Sequence, residues 1–92
     1  MDSAEARRQL DASWRQIIAA MHASGRQAVL AITGGGSGAI AELLRVPGGS
    51  RLLLEAVVPY DSRALAEFVG FEPEQASSVE TAVAMARRAR AR

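Results

Sequence analysis

The chain has 92 residues, of which 49% are hydrophobic and 23% are charged, and its formal net charge is +1. This length and composition predict one small globular domain, residues 1–92, and exclude a disordered chain. The lack of cysteine excludes disulfides and thiolate metal sites, and the near-neutral charge makes nucleic acid an unlikely partner.

Helices are predicted where apolar residues recur every three or four positions behind a capping residue, and strands where short aliphatic runs are bounded by turns. In chain order, the predicted elements are helix 4–23, strand 27–33, helix 37–46, strand 51–58, helix 61–69 and helix 77–90. A right-handed crossover between the two strands would set them parallel. The alternation therefore predicts an α/β fold with a small parallel sheet.

The apolar positions of these elements predict a core. The expected buried residues are Trp14, Ile17, Met21, Leu30, Ile32, Leu43, Leu54, Val57 and Phe68. We expect His22, which falls near the end of the first helix, to lie at its solvated edge.

A glycine-rich turn follows the first predicted strand, where residues 31–38 read A-I-T-G-G-G-S-G. Glycine allows backbone N–H groups to approach a ligand closely, and a helix N-terminus favours an anion. The spacing Gly34-x-Gly36-x-x-Ala39 also fits a loose form of the dinucleotide-binding fingerprint. We expect Gly34, Gly35 and Gly36 to bind a phosphate. A tight turn between packed elements is the alternative.

Three further residues are candidates for the same ligand site. Arg51 is suited to bidentate pairing with a phosphate, Tyr60 to stacking on a ring, and Asp61 to bonding a ribose hydroxyl. Each also has a purely structural interpretation. Arg51 would cap a helix end, Tyr60 would pack at a strand end, and Asp61 would be the N-cap of the next helix.

Thr33 and Ser37 are the candidate nucleophiles, because each places a hydroxyl beside turn N–H groups that can form an oxyanion hole. No adjacent base is evident. A triad of Ser37, His22 and Asp61 can be assembled from the sequence, but single residues of these types occur in most chains.

Residues 28–86 resemble the C-terminal domain of the competence-damage protein CinA, a family that includes nicotinamide-nucleotide amidohydrolases. The segments that carry the resemblance are A-I-T-G-G-G at 31–36, V-P-G-G-S-R at 46–51, E-A-V-V-P-Y at 55–60 and S-V-E-T-A at 78–82. The corresponding family patterns are similar to A-E-S-x-T-G-G, V-P-G-A-S-R, G-V-V-A-Y and S-x-E-x-A.

The resemblance also implies where catalytic groups would fall. A serine beside the glycine turn is the family's nucleophile. Its position falls on Thr33 in an ungapped alignment, or on Ile32 if one residue is inserted. A supporting lysine after the tyrosine would fall on Leu65, and the chain has no lysine. The family's acidic residue is also missing. The family domain continues past residue 92, so the chain is expected to match its N-terminal half.

These departures predict a catalytically diverged CinA-type domain that retains nucleotide or phosphate binding at the glycine-rich turn. If the chain is an enzyme, the resemblance implies hydrolysis of the nicotinamide mononucleotide amide to the acid and ammonia, with no metal or redox cofactor. The expected partners are a pyridine nucleotide and a second copy of the chain, because a two-stranded sheet leaves its edges open. The alternative is a truncated, oligomerising α/β module without a ligand.

The arginines near the C-terminus, Arg87, Arg88, Arg90 and Arg92, either contact phosphates or complement the dipole of their own helix. The lack of interleaved aromatic residues favours the dipole interpretation. No apolar run is long enough to span a bilayer, and no apolar signal-peptide segment is present. A cytoplasmic location is therefore expected.

Overall fold

The structure is a computed structural model that describes residues 2–91. Its elements are α1 (Ser3–His22), β1 (Ala28–Ala31), α2 (Ser37–Arg45), a 3₁₀ helix (Gly49–Arg51), β2 (Leu53–Val57), α3 (Ser62–Val69) and α4 (Val79–Arg90). The predicted small α/β fold is confirmed. The start of the second predicted strand is wrong, because residues 49–51 form the 3₁₀ helix and the strand begins two residues later.

Local hydrogen bonds account for where the helices begin. A carboxylate oxygen of Asp2 accepts the N–H of Glu5 at 2.8 Å, at the start of α1. Ser78 caps α4 by accepting the N–H of Thr81 at 3.1 Å. Gly70 ends α3 with a left-handed φ of 89°, a conformation that side chains disfavour. These caps explain why sequence patterns placed the helix ends to within about two residues.

The two strands are parallel neighbours, as predicted. Ala28 pairs with Leu53, but the next residue of β1, Val29, pairs with Glu55. The register shift leaves Leu54 without a partner on β1, and its side chain is 60% exposed. The prediction that Leu54 belongs to the core is therefore wrong.

The core forms where elements distant in sequence meet. Helix α4 packs on β1, α3 packs on α4, and both α1 and α2 contact the 3₁₀ helix. The buried apolar residues are Ile18, Ile32, Val46, Leu52, Leu65, Met85 and Ala89. Of the nine predicted core residues, Ile32 is buried, and four are partly buried: Leu30, Leu43, Val57 and Phe68.

Helix α1 packs on the rest of the domain through a different face from the one predicted. Ile18 and His22 are its buried residues, whereas Trp14, Ile17 and Met21 are exposed. Positions 18 and 22 share one face of a helix, while positions 14, 17 and 21 share a neighbouring face. The three residues predicted as core therefore form an apolar surface, and that part of the core prediction is wrong.

His22 is 1% exposed, which corrects the expectation that it lies at a solvated edge. Its Nε2 donates to the backbone oxygen of Leu43 at 2.9 Å. Leu43 is in the last turn of α2, where carbonyls have no partner within the helix. Nδ1 of His22 is buried and has no hydrogen-bond partner among the described residues. The sequence pattern did not indicate that His22 joins α1 to the end of α2.

Candidate functional site

The glycine-rich turn joins the carboxyl end of β1 to the N-terminus of α2. Gly34 has φ of 132° and Gly36 has φ of 93°, so both adopt backbone conformations that side chains disfavour. Gly36 is the N-cap of α2, and no side chain caps this helix. The N–H groups of the first turn therefore lack a side-chain acceptor, and Ser37 at the start of the helix is exposed.

The carboxyl ends of the two strands lie side by side, as predicted for a parallel sheet. The N–H of Ile32 donates to the backbone oxygen of Val57 at 3.0 Å. The Thr33 hydroxyl, on the next residue after Ile32, donates to the backbone oxygen of Pro59 at 2.9 Å. Because Thr33 immediately precedes the glycines, this bond fixes the turn beside the segment that leaves β2.

Tyr60 is the side chain that this arrangement brings to the turn. Its Cε1 lies 3.7 Å from the position that a Cβ on Gly34 would occupy, and the residue is 74% exposed. A largely exposed ring next to backbone N–H groups offers a stacking surface beside an anion-receptive turn. Gly34, Gly35, Gly36 and Tyr60 thus form one contiguous surface.

Asp61 follows Tyr60, but its carboxylate has a structural role. Oδ1 accepts the N–H of Arg63 at 2.8 Å and of Ala64 at 3.3 Å, which makes Asp61 the N-cap of α3. The cap interpretation of Asp61 is therefore confirmed. Any contact with a ribose would have to coexist with these bonds.

Arg51 is not brought to the turn. It ends the 3₁₀ helix that precedes β2, whereas the turn follows β1, and the two strands run in the same direction. The five residues of β2 separate the two ends of the sheet by about 16 Å of extended chain. The guanidinium lies against Gly48 instead. The expected pairing of Arg51 with a phosphate at the turn is therefore wrong within one chain.

Two further groups of arginines have defined positions, one on α2 and one at the end of α4. Arg45 forms an ion pair with Glu42 on the exposed surface of α2, and this hydrogen bond raises the pKa of the guanidinium. Arg87, Arg88 and Arg90 lie in the last turn of α4, as the helix-dipole interpretation expects, and Arg92 lies outside the described residues. Of these arginines, Arg90 lines a groove that Thr33 and Gly35 also line.

The candidate catalytic residues have no base beside them in the contacts that the structure provides. The Thr33 hydroxyl donates its proton to a carbonyl, and His22 is buried against the C-terminal end of α2. The structure does not bring Ser37, His22 and Asp61 together as a triad, because His22 and Asp61 each have a structural partner elsewhere. Leu65, where the resemblance to the CinA family would place a lysine, is 2% exposed within α3.

A groove of about 810 Å³ opens beside the turn, between β1 and α4. Thr33, Gly35, Met85, Ser77 and Ser78 are among the residues that line it. The sequence analysis places the two serines only at the start of the last predicted helix. Their position opposite β1 depends on how α4 packs, which no local pattern reveals.

Residues 2–91 contain no cluster of three or more His, Cys, Asp or Glu side chains that could hold a metal ion. Within the same range, none of the helices combines the length and apolar character needed to cross a lipid bilayer. Comparison of the chain with family models, curated proteins and solved structures gives no match.

Proposed function

We propose that this chain is a CinA-like binding module that holds a pyridine mononucleotide by its phosphate and does not deamidate it. The observation that carries the proposal is the uncapped first turn of α2, which begins at Gly36, two residues after the Gly34 beside which the exposed ring of Tyr60 lies. The N–H of Ala39 already donates to the backbone oxygen of Gly36 at 2.9 Å. A phosphate would accept the remaining N–H groups of the first turn, and the positive end of the helix dipole would attract it.

The protein offers two surfaces next to the phosphate site that the rest of the nucleotide could contact. Tyr60 offers a stacking face on one side of Gly34, and the groove between β1 and α4 begins at Thr33 and Gly35 on the other. The open carboxyl end of a parallel sheet is where α/β folds commonly bind ligands. The resemblance to the CinA family supplies the ligand class, a nicotinamide nucleotide.

Gly35→Val is expected to abolish binding of nicotinamide mononucleotide without a large loss of stability. Gly35 has no positive φ and no atom near the position of an added Cβ, so valine fits without backbone strain or a clash and covers the turn. Wild-type protein at a hundred times the dissociation constant should gain about 2.7 kcal/mol of stability, whereas the variant should gain none. Thermal unfolding with and without the nucleotide measures both quantities.

Two controls make this test specific. Ala41→Val places the same branched side chain on an exposed position of α2 away from the turn and should leave nucleotide stabilisation unchanged. Nicotinamide riboside, which lacks the phosphate, should not stabilise the wild type. Unchanged affinity in Gly35→Val would refute the site. Gly36→Val is a poorer probe, because its φ of 93° makes any side chain there strained.

Release of ammonia from nicotinamide mononucleotide is expected to stay at the uncatalysed rate, even at high protein concentration. Neither Thr33 nor Ser37 has an adjacent base, and general acid–base help is worth ~10²–10⁴-fold in rate. A coupled ammonia assay measures this directly. Turnover that disappears in Thr33→Ala or Ser37→Ala would identify a nucleophile and overturn the proposed lack of hydrolysis.

A further inference from the structure

Helix α1 carries an apolar face that no element of the described residues covers. Its members are Leu10, Trp14, Ile17 and Met21, each between 41% and 57% exposed. We call these four residues the α1 seam. They recur at intervals of four, three and four residues, which is the heptad spacing of a helix that pairs with another helix.

The α1 seam is not explained by packing within the chain. Helix α1 is 20 residues long, yet Ile18 and His22 are its only buried positions among those described, and both lie in its last two turns. Most of the helix therefore extends beyond the part of the domain on which its last two turns pack. A side chain as large as Trp14 has its apolar surface in water unless another surface covers it.

From this geometry we infer that the α1 seam pairs with the α1 seam of a second copy, with the two helices antiparallel. A two-fold axis between Trp14 and Ile17 would place Trp14 of each copy opposite Ile17 of the other. The same axis places Leu10 opposite Met21. Trp14 and Met21 occupy one apolar position of the heptad, and Leu10 and Ile17 occupy the other. Each pair therefore joins the two different positions, as antiparallel helix pairs require. The interface is self-complementary, because the same surface of both copies forms it.

The charge pattern selects the antiparallel direction. Arg7 occupies the next seam position before Leu10. Parallel helices would place Arg7 against its own copy, and like charges opposed in a seam are unfavourable. Antiparallel helices place Arg7 beyond Met21, near the exposed residues that follow the end of α1. The helix dipoles also oppose each other in this arrangement.

An apolar hollow lies next to the C-terminal end of the α1 seam. The hollow, of about 530 Å³, lies between the last turns of α1 and Leu52, and Ile17 and Met21 line it. In the antiparallel arrangement, Leu10 of the second copy lies opposite Met21 and enters this hollow. The second copy therefore covers both the seam and the hollow.

The pairing is independent of nucleotide binding. Helix α1 contacts the 3₁₀ helix, which precedes β2, whereas the glycine-rich turn lies at the other end of the strands. A dimer formed through the α1 seam leaves the turn open, so each proposal can fail without the other.

Sedimentation velocity across a range of protein concentrations tests the pairing. Wild-type protein should sediment at twice the monomer mass, and Ile17→Glu should be a folded monomer with an unchanged circular dichroism spectrum. Val79→Glu makes the same kind of change at an apolar residue that is 80% exposed on α4 and should stay dimeric. A monomeric wild type, or an Ile17→Glu dimer, would overturn the inference.

Cysteine cross-linking tests the direction of the pairing, because the chain has no native cysteine. Leu10→Cys and Met21→Cys chains, one of them isotope-labelled, are mixed and oxidised, and the disulfides are read by mass. Antiparallel pairing predicts mostly mixed disulfides between the two variants. Mostly self-disulfides would show parallel helices and contradict the proposed arrangement.

Discussion

Leu65→Ala is expected to destabilise the domain by about 2–5 kcal/mol, the usual cost of truncating a buried leucine. Leu65 is 2% exposed and lies in α3, which packs against α4. Small domains have about 5–15 kcal/mol of stability in total, so the variant should lose much of its folded population on modest heating. Urea unfolding followed by circular dichroism measures the change.

Leu54→Ala is the matched control, since it is the same substitution on a leucine that is 60% exposed. Its expected cost is about 1 kcal/mol or less, as for most substitutions on the surface. If the two variants lost equal stability, the burial pattern described above would be wrong. Leu65→Lys would place a charge in the core and unfold the protein, so this variant cannot test whether a lysine at position 65 supports catalysis.

His22→Leu is expected to destabilise the protein although leucine is similar in size to histidine and suits a buried position. The substitution removes the Nε2–H donor of His22 and leaves the oxygen of Leu43 without its partner. An unsatisfied buried polar group costs about 1–3 kcal/mol. Because the bond joins α1 to the end of α2, the loss should also loosen the packing of α1 on the body.

His22→Gln separates the hydrogen bond from the packing. The glutamine amide can place an N–H donor near the original Nε2 position, so part of the stability should be kept. Equal stability of the leucine and glutamine variants in urea unfolding would show that the bond to Leu43 contributes nothing. A leucine variant as stable as the wild type would contradict the structural role of His22 altogether.

Elements set by local chemistry were predictable from sequence. The caps Asp2 and Asp61, the glycine stop at Gly70 and the aliphatic run of β2 each act within a few residues. The parallel direction of the strands followed from the length of the crossover between them. The 3₁₀ helix was missed because its three residues lie between a proline-glycine turn and a strand, where no periodicity can be read.

The core was less predictable, because burial depends on which face of an element meets a distant one. Trp14 and Ile17 have the hydrophobicity of core residues, and only the packing of Ile18 and His22 shows that α1 turns another face inward. Leu54 was misplaced for a similar reason. A register shift in the sheet is a property of the pair of strands, not of the sequence of β2.

The candidate site was partly predictable. The glycines of the turn and Tyr60 both follow a strand, so a parallel sheet had to bring them to one edge. The same reasoning excludes Arg51, which precedes its strand and therefore lies at the opposite edge. The position of Ser77 and Ser78 in the groove depends on the long-range packing of α4 on β1 and could not be inferred locally.

Titration of isotope-labelled protein with nicotinamide mononucleotide, followed by amide ¹H–¹⁵N NMR, tests the central claim most directly. We expect saturable shifts that are largest for the amides of Gly34, Gly35, Gly36 and Ser37, with a smaller shift at Tyr60. The amides in the first half of α1 should not move. An absence of saturable shifts, or shifts confined to the arginine-rich end of α4, would contradict a phosphate site at the glycine-rich turn.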